Sequence, residues 1–453
     1  MTQAPDACAA QDEGVGKSGP LRSAILWILV CAGISVVWGS WLETTNRAGM
    51  ADFKAVYYGA RCLIHHRDPY NPAEFERVYL AEGGTIPPDT PARMLMFRHA
   101  IFACINLPTA MLLLLPFAVL PWKLAYLLWM ALIAASLTLA VFLMCLTARR
   151  QAPALSLFLA CVAIANVEVL FALGNLAGVA ISLCLIAAWC FLEERFIPAG
   201  VLCMAAALAL KPHDAGLVWL YFLLAGGAQR KRALQALALV AALAVPSVLW
   251  VQHVAPQWAA ELHANVLAGA AHGGLNDPGP ASPSYSYADM EISLQAAISV
   301  FLDNPLVYNA ASYLVCGALL LAWAIGTLRT CFTRANGWLA LASVSALSLL
   351  PVYHRLHDAK LLLLAIPACA MLWAEGSRVK WPAALLTSAT IVVTADIPST
   401  LLLIIATSVR GHVSGIWETI AMLTLMRPAG PLLLATGVFY LCVYLRRAST
   451  ANS

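Results

Sequence analysis

The sequence predicts an all-α polytopic membrane protein. Of its 453 residues, 61% are hydrophobic and only 11% are charged, whereas about a quarter of an average soluble domain is charged. Such a chain cannot cover a globular surface with polar groups. Apolar runs long enough to cross a bilayer, which takes about 20 residues, recur along nearly the whole chain. The small net charge of +4 is spread over short loops and argues against nucleic acid as a partner.

Basic residues between the apolar runs predict the topology, because cytoplasmic loops are enriched in Lys and Arg. We expect these basic clusters to be cytoplasmic: Lys17/Arg22, Arg149/Arg150, Arg195, Arg230/Lys231/Arg232, Arg329/Arg334, Arg378/Lys380 and Arg446/Arg447. The spans expected between them are 24–41, 122–147, 154–172, 176–192, 197–210, 214–226, 233–251, 308–329, 337–352, 360–375, 381–404 and 429–446.

One apolar run, 100–120, does not fit this count. Three apolar runs lie between the first two basic clusters, but two cytoplasmic ends require an even number of crossings. Three prolines cut or bound this run: Pro108, Pro116 and Pro121. Proline inside a helix costs about 3 kcal/mol. We therefore expect the run to form a juxtamembrane or re-entrant helix on the outer side, which leaves about 12 transmembrane helices with both termini cytoplasmic.

This map divides the chain into a disordered cytoplasmic tail at 1–23, one transmembrane domain at 24–447 and a second cytoplasmic tail at 448–453. It leaves two large outer loops. The first loop, at about 43–121, is expected to carry juxtamembrane helices. The second loop, at about 252–307, is rich in Gly, Pro and Ser, a composition typical of loops.

Polar side chains inside or beside the apolar runs gather at the ends that this map places outside. They are Asn166, Glu168, Asn175, Lys211, His213, Asp214, His354, Arg355, His357, Asp358 and Lys360. A charge at the bilayer centre costs a few kcal/mol at least, so ionisable residues within membrane segments are functional candidates. The gathering predicts a site on the outer face.

Asp52 opens a predicted amphipathic helix at 52–64, directly after the first span. The apolar spacing fits a helix that lies on the membrane. One explanation of Asp52 is an N-cap, where Asp is favoured. The other is a general base. A substrate with a phosphate leaving group needs one base for the incoming hydroxyl and cations for the departing phosphate. The residues alone leave both explanations open.

Cations for such a site are available at three outer positions. Lys211 ends one span, the segment 354–358 follows another, and Arg61 lies on the first loop. Lys211 is equally explained by snorkelling to the headgroups, and 354–358 by a solvated interfacial loop. No HExxH or comparable spacing indicates a metal. We therefore expect no metal or other cofactor, although a divalent ion stays open.

Several stretches of the chain resemble glycosyltransferase family 87, a bacterial family with the GT-C fold that contains polyprenyl-phosphate-mannose-dependent α-mannosyltransferases. The string from Asp52-Phe53 through Tyr57-Tyr58 to Asp68-Pro69-Tyr70 resembles the first outer loop of that family. The other similar stretches are Leu173-Gly174-Asn175, Ala199-Gly200, Ala209-Leu210-Lys211-Pro212 and 354–367. The resemblance covers roughly residues 25 to 370 and implies a GT-C-like fold.

The resemblance also implies roles for individual residues. Asp52 is implied as the catalytic base. The residues expected at the donor phosphate are Lys211, His354, Arg355 and His357. Those expected to bind substrate are Tyr57, Tyr58, Arg61, Asn175 and Asp358. The chain departs from the family at Asn175, where Gln is usual, and at His66, where Gly is common. Both departures leave the sugar and the acceptor undetermined.

The sequence therefore predicts an inverting glycosyltransferase of the bacterial inner membrane. We expect it to move a sugar, mannose by resemblance, from a polyprenyl-phosphate donor to a lipid- or glycan-type acceptor on the extracytoplasmic face. Its partners would be this donor, the acceptor and membrane lipids. The alternative is a transporter or flippase of a lipid-linked anionic substrate, for which internal repeats would be typical. A membrane scaffold without chemistry is a third interpretation.

Overall fold

The computed structural model describes residues 19–45, 49–86, 90–284, 291–376, 378–409, 412 and 414–451. Within these ranges the protein is helical and contains no strand, only an isolated bridge between Glu291 and Arg355. The predicted all-α fold is confirmed. Most of the tail predicted at 1–23 lies outside the described residues, and the first helix begins at Gly19.

Most of the described helices follow one another with short connections, and the longest interval, 271–293, separates α13 from α14 in the second loop. Those of the first half are α1 Gly19–Thr45, α2 Ala51–Ile64, α3 Pro72–Ala81, α4 Pro91–Phe102, α5 Pro108–Ala118, α6 Trp122–Ala148, α7 Pro153–Ile164, α8 Glu168–Leu173, α9 Ala177–Leu192, α10 Ile197–Leu210 and α11 Pro212–Leu224. Those of the second half are α12 Gly227–Val254, α13 Trp258–Ala270, α14 Leu294–Ile298, α15 Pro305–Arg329, α16 Arg334–Leu347, a 3-10 helix Leu356–Leu364, α17 Ala365–Ala374, α18 Lys380–Val393, α19 Asp396–Val409, α20 Ile416–Ala421, a π-helical turn Met422–Met426 and α21 Ala429–Ala451.

Seven helical segments of the described chain are long and apolar enough to cross a bilayer: Leu21–Thr45, Trp122–Ala148, Pro153–Leu173, Gly227–Val254, Pro305–Arg329, Leu356–Ala374 and Ala429–Arg447. The protein is therefore a multi-pass membrane protein. Other expected spans form shorter helices. The longest of these, α9, has 16 residues and reaches about 24 Å at 1.5 Å per residue, less than a bilayer core of about 30 Å. The count of 12 stays a prediction.

The segment expected as one span at 381–404 is instead a pair of helices, α18 and α19, bent by 74°. The bend has a local cause. Pro398 has no N–H to donate to the carbonyl of Thr394, so one helical hydrogen bond is missing. The ammonium group of Lys360 lies 3.5 Å from that carbonyl oxygen. The two helices together supply up to one further span.

The first loop is largely helical, as expected, and the 100–120 run forms no long helix. It is divided between the end of α4 and the 11-residue α5, which contains Pro116. The predicted helix at 52–64 is present as α2, but it does not lie on the surface. Most of its residues are buried, and Phe53 stacks on Trp129 at 5.1 Å between ring centroids. The amphipathic pattern reflects packing inside the protein.

The bundle has a buried centre and an apolar perimeter. Helix α9 and the segment from Leu356 to Leu372 are buried along nearly their whole lengths. Helices α1, α12 and α15 instead expose rows of large apolar side chains, such as Val37, Leu249 and Leu314. Such surfaces are stable against lipid tails but not against water. The polar residues described next lie between the buried helices.

Candidate functional site

The turn between α8 and α9 forms one wall of the site. Gly174 ends α8 with φ of 62°, a left-handed conformation that glycine adopts at little cost. Position 174 also has no room for a larger side chain, because a Cβ there would lie 2.5 Å from the Met50 side chain and 2.9 Å from Cβ of Phe53. The indole of Trp129 donates to the Gly174 carbonyl at 2.9 Å. The start of α2 therefore packs directly on this turn.

Asn175 connects this turn to Asp52. Its Oδ1 accepts a hydrogen bond from the backbone N–H of Ala177 at 2.7 Å, at the start of α9. Because that contact requires the amide oxygen, the amide nitrogen faces the other way, and it donates to Oδ2 of Asp52 at 2.7 Å. The structure thus brings together two predicted site residues that are 123 positions apart.

Asp52 does not act as a helix cap. Met50, not Asp52, occupies the N-cap position of α2, with φ of 57°, and its side chain makes no capping hydrogen bond. The Met50 N–H donates to the carbonyl of Ala172 at 2.7 Å, which anchors the helix start on α8. Asp52 lies in the first turn, half-buried, where its negative charge is favoured by the helix dipole.

A second group of site residues surrounds the break between α10 and α11. Lys211 occupies the break, with extended backbone, and Pro212 starts the next helix, where its missing N–H costs nothing. The Lys211 ammonium is paired with Asp358 and lies 3.1 Å from Oδ2 of Asp214. Lys211 is thus an ion-paired residue inside the protein, not a cation that snorkels to the headgroups.

The 3-10 helix beginning at Leu356 supplies the partners of Lys211. Oδ2 of Asp358 accepts the backbone N–H of Arg355 at 2.9 Å, which fixes the carboxylate at the helix start. Nε2 of His357 lies 3.5 Å from Oδ1 of the same carboxylate. Both residues are almost completely buried. The 354–358 segment is therefore not a solvated loop.

Three side chains meet next to this pair. Nε2 of His354 lies 3.4 Å from Oδ1 of Asp214, and Nε2 of His213 lies 3.7 Å from the same oxygen. All three ligand atoms lie within 4.8 Å of one another, a separation that a metal ion could bridge. His354 and Asp214 are buried, whereas His213 is exposed. Sequence spacing did not reveal this group, because its members come from two segments about 140 residues apart.

The Arg355 side chain contacts the second loop. Its guanidinium stacks over the ring of Tyr353 at 5.3 Å and donates to the Leu275 carbonyl at 3.3 Å, in the second loop. The Arg355 side chain thus ties the second loop to the 3-10 helix. Its predicted contact with a donor phosphate stays a prediction.

Tyr57, Tyr58 and Arg61 lie in the packing of the first loop. The Tyr57 hydroxyl donates to the Leu120 carbonyl at 2.8 Å, and Tyr58 is stacked near Trp122 at 5.9 Å between centroids. Arg61 donates to Glu82 at 2.7 Å, a hydrogen bond that raises the pKa of the guanidinium. These contacts hold α2 in place, and the substrate-binding role of the three residues stays a prediction.

A further buried polar group was only partly recognised from sequence. Lys360 donates to the carbonyl of Asn166 at 2.9 Å, and Oδ2 of Asp396 accepts the N–H of Val169 at 2.8 Å. Glu168 is buried beside them. These residues join the α7–α8 break to the α18–α19 bend. The sequence interpretation did not single out Asp396. A carboxylate two positions before Pro398, inside an apolar run, is the sequence feature by which it could have been identified.

The fold and these buried charges define a multi-pass membrane protein with an ionic site between its helices. The sequence model of Glycosyltransferase family 87 matches residues 105–350, which is more than half of the chain. The protein therefore belongs to glycosyltransferase family 87, and it is a membrane glycosyltransferase with a sugar donor and an acceptor as substrates. No curated protein and no solved structure was found to match it.

The family match covers only part of the site. Asn175, Lys211 and Asp214 lie within 105–350, whereas Asp52 and the segment 354–358 lie outside it. Family membership decides between transferase and transporter in favour of the transferase. It assigns no role to individual residues, so the roles that follow rest on geometry and on the resemblance of local motifs.

Proposed function

We propose that the protein is an inverting glycosyltransferase that takes its sugar from a polyprenyl-phosphate donor. The sugar, mannose by motif resemblance, would pass to a hydroxyl of a lipid- or glycan-type acceptor. In this proposal the reaction takes place on the extracytoplasmic face of a bacterial inner membrane. A polyprenyl chain is soluble only in the bilayer, and the protein's apolar perimeter and interior polar groups suit a substrate with a lipid tail and a charged head.

The observation that carries the proposal is the hydrogen bond between Asn175 and Asp52. A general base must be held in one orientation to accept a proton from a hydroxyl. The Asn175 amide holds one oxygen of the carboxylate, and the Gly174 turn holds the helix on which Asp52 lies. A single carboxylate is enough here, because the leaving group is already a phosphate and needs no acid.

The donor phosphate is assigned to the second group. In the proposal Lys211, His354, Arg355 and His357 bind or neutralise the phosphate, and Asp358 orients Lys211 through their ion pair. Charge-assisted hydrogen bonds from preorganised donors stabilise a developing phosphate charge. Tyr57, Tyr58 and Arg61 would shape the acceptor side of the site through the first loop.

Substitution of Asp52 tests the proposal. Asp52→Asn keeps the shape of the side chain but cannot accept a proton, so transfer from a polyprenyl-phosphate sugar in liposomes should fall about 10²- to 10⁴-fold. The control is Glu76→Gln, which removes a first-loop carboxylate that pairs with Arg98 at the surface. Control activity should equal that of the unmodified protein. Full activity of Asp52→Asn would remove Asp52 as the base.

A further inference from the structure

The two carboxylate oxygens of Asp214 have different neighbours. Oδ2 faces the Lys211 ammonium at 3.1 Å, whereas Oδ1 faces the two histidines, His354 at 3.4 Å and His213 at 3.7 Å. The carboxylate is almost fully buried, and neither oxygen makes a hydrogen bond of good geometry. A buried carboxylate without hydrogen bonds is costly, so the Oδ1 side calls for a ligand.

The hydrogen-bond partner of Nδ1 in His354 determines the tautomer of the neutral ring, and so which atom faces Asp214. Its Nδ1 lies 3.1 Å from the carbonyl oxygen of Val352. A carbonyl only accepts, so Nδ1 carries the hydrogen. In the neutral ring Nε2 then presents a lone pair, and this lone pair faces Oδ1 of Asp214. With the ring neutral, two acceptors face each other in a buried place, and Nε2 makes no hydrogen bond of good geometry. A cation between them would satisfy both.

The spacing of the three atoms suits a small divalent ion. Zinc binds His nitrogen and carboxylate oxygen at about 2.0–2.2 Å, which sets tetrahedral ligands about 3.4 Å apart. The distances from Oδ1 of Asp214 to the histidine nitrogens are 3.4 and 3.7 Å. Two His and one carboxylate form a donor set that zinc favours with one coordination position open. The backbone contact of His354 is the type of support that orients a ligating imidazole.

The net charge of the site also favours a bound cation. Lys211 is matched by two buried carboxylates, Asp214 and Asp358, so the group carries one net negative charge while its histidines are neutral. Arg355 is directed to the second loop. With neutral histidines and no bound ion, Lys211 and its two carboxylates therefore do not by themselves attract a phosphate. A divalent ion at Asp214 reverses the sign of the net charge.

We propose that His213, Asp214 and His354 bind a zinc-class divalent ion next to the lysine–aspartate pair. His213 is exposed, which leaves one side of the three ligands accessible to an entering ion. The role that we infer for the ion, attraction of the donor phosphate, rests on the proposed function. The binding site itself does not, because it follows from the three ligands alone.

The test begins with the resting protein, without donor or acceptor. The full chain is purified in detergent, stripped with a chelator, reloaded with Zn²⁺ and analysed for bound metal by mass spectrometry. We expect about one zinc per chain. Mg²⁺ should not replace it, because Mg²⁺ prefers oxygen ligands. Co²⁺ should bind with the visible absorption of a four-coordinate ion. A reloaded protein with no bound zinc would overturn the proposal.

Variants localise the ion. His213→Gln changes an exposed side chain, so the fold should be retained, and the Zn²⁺ affinity should fall at least about 100-fold. Asp214→Asn should abolish binding but alters the buried ion pair. If Asp214→Asn does not fold, the Zn²⁺ affinity of His213→Gln alone decides whether the site binds the ion. The control is His272→Gln. His272 also lies 3.1 Å from an aspartate, Asp277, but outside the three-residue group, so zinc should be retained. Equal zinc affinity in His213→Gln would refute the site.

Metal binding and sugar transfer are measured separately. Zinc that binds through His213 in a protein unable to use any polyprenyl-phosphate sugar would support the site and refute the proposed function. Sugar transfer at full rate by the chelated protein, together with no zinc uptake, would support the proposed function and refute the metal site. In that case protonated histidines, not a metal, would supply the positive charge.

Discussion

The side-chain amide nitrogen of Asn175 donates to Asp52 at 2.7 Å, while its side-chain oxygen accepts the backbone N–H of Ala177 at the start of α9. Because both ends of the amide are engaged, the direction of the hydrogen bond to Asp52 is determined by the backbone. Asn175 is thus a positioning residue for the proposed base. Through this hydrogen bond, a residue in the α8–α9 turn holds the proposed base at the start of α2 in one orientation.

Loss of the Asn175 amide should weaken transfer less than loss of Asp52. For Asn175→Ala we expect about a 10- to 100-fold lower kcat, since misplacement of a catalytic group by about 1 Å has this effect. The hydrogen bond favours the charged carboxylate, so the acidic limb of the pH–rate profile should move to higher pH. A lower kcat with an unchanged pH profile would indicate a structural role alone.

Gly174→Ala should disrupt the site without touching a polar residue. The new Cβ would meet Met50 and Phe53, and alanine disfavours φ of 62°. We expect thermal unfolding in detergent at a lower temperature, with at least about 1–2 kcal/mol lost, and a lower transfer rate. Gly216→Ala is the control, because nothing lies within 4 Å of a Cβ there. Equal behaviour of the two variants would contradict the packing described.

His66→Gly should stabilise the protein. His66 has φ of 54°, which costs a residue with a Cβ about 1–2 kcal/mol, whereas glycine adds about 0.5–1 kcal/mol of chain entropy cost. The net gain of up to about 1.5 kcal/mol should raise the unfolding temperature slightly. His66→Ala removes the same imidazole but keeps the Cβ, so it should show no gain. Equal unfolding temperatures for both variants would show that backbone strain is not the cause.

The Lys211–Asp358 pair should show strong coupling. Lys211→Met leaves two buried carboxylates without their cation and should cost about 3–5 kcal/mol. Lys211→Met combined with Asp358→Asn removes one of those charges as well, so the double variant should be less destabilised than the sum of the single variants. A double-mutant cycle of unfolding free energies measures the coupling. Strict additivity would show that the two groups do not interact.

Stability should depend on pH through Glu291. Burial raises the pKa of this carboxyl from 4.5 to about 7, although Ser293, Arg427, Arg355 and His354 oppose the shift. The native state then binds the proton more tightly than the unfolded state. Its stabilising contribution is complete below about pH 4.5 and is lost as the pH rises through about 7.

Glu291→Gln should flatten this dependence between pH 5 and 8, as measured by unfolding temperature in detergent. Glu194→Gln is the control, because Glu194 is an exposed carboxylate at the end of α9. The control should keep the pH dependence of the unmodified protein. An unaltered slope in Glu291→Gln would mean that another group is responsible.

Composition was sufficient to predict the class of fold. With 61% hydrophobic and 11% charged residues, the chain can be stable only where lipid replaces water around it. Helices are then required, because unpaired backbone groups are too costly in lipid. Proline positions likewise predicted that 100–120 would not cross the membrane as one helix, and the structure divides it between α4 and α5.

The tertiary structure decided which charges meet. Lys211 and Asp358 are 147 positions apart, and local patterns contain no information on such a pairing. The sequence suggested that Lys211 and Arg355 were similar cations, but the structure pairs half-buried Lys211 with two buried carboxylates and brings Arg355 into contact with the second loop. Each side chain must find a partner inside the bundle, because an unpaired buried charge is costly, and helix packing determines which partner lies within reach.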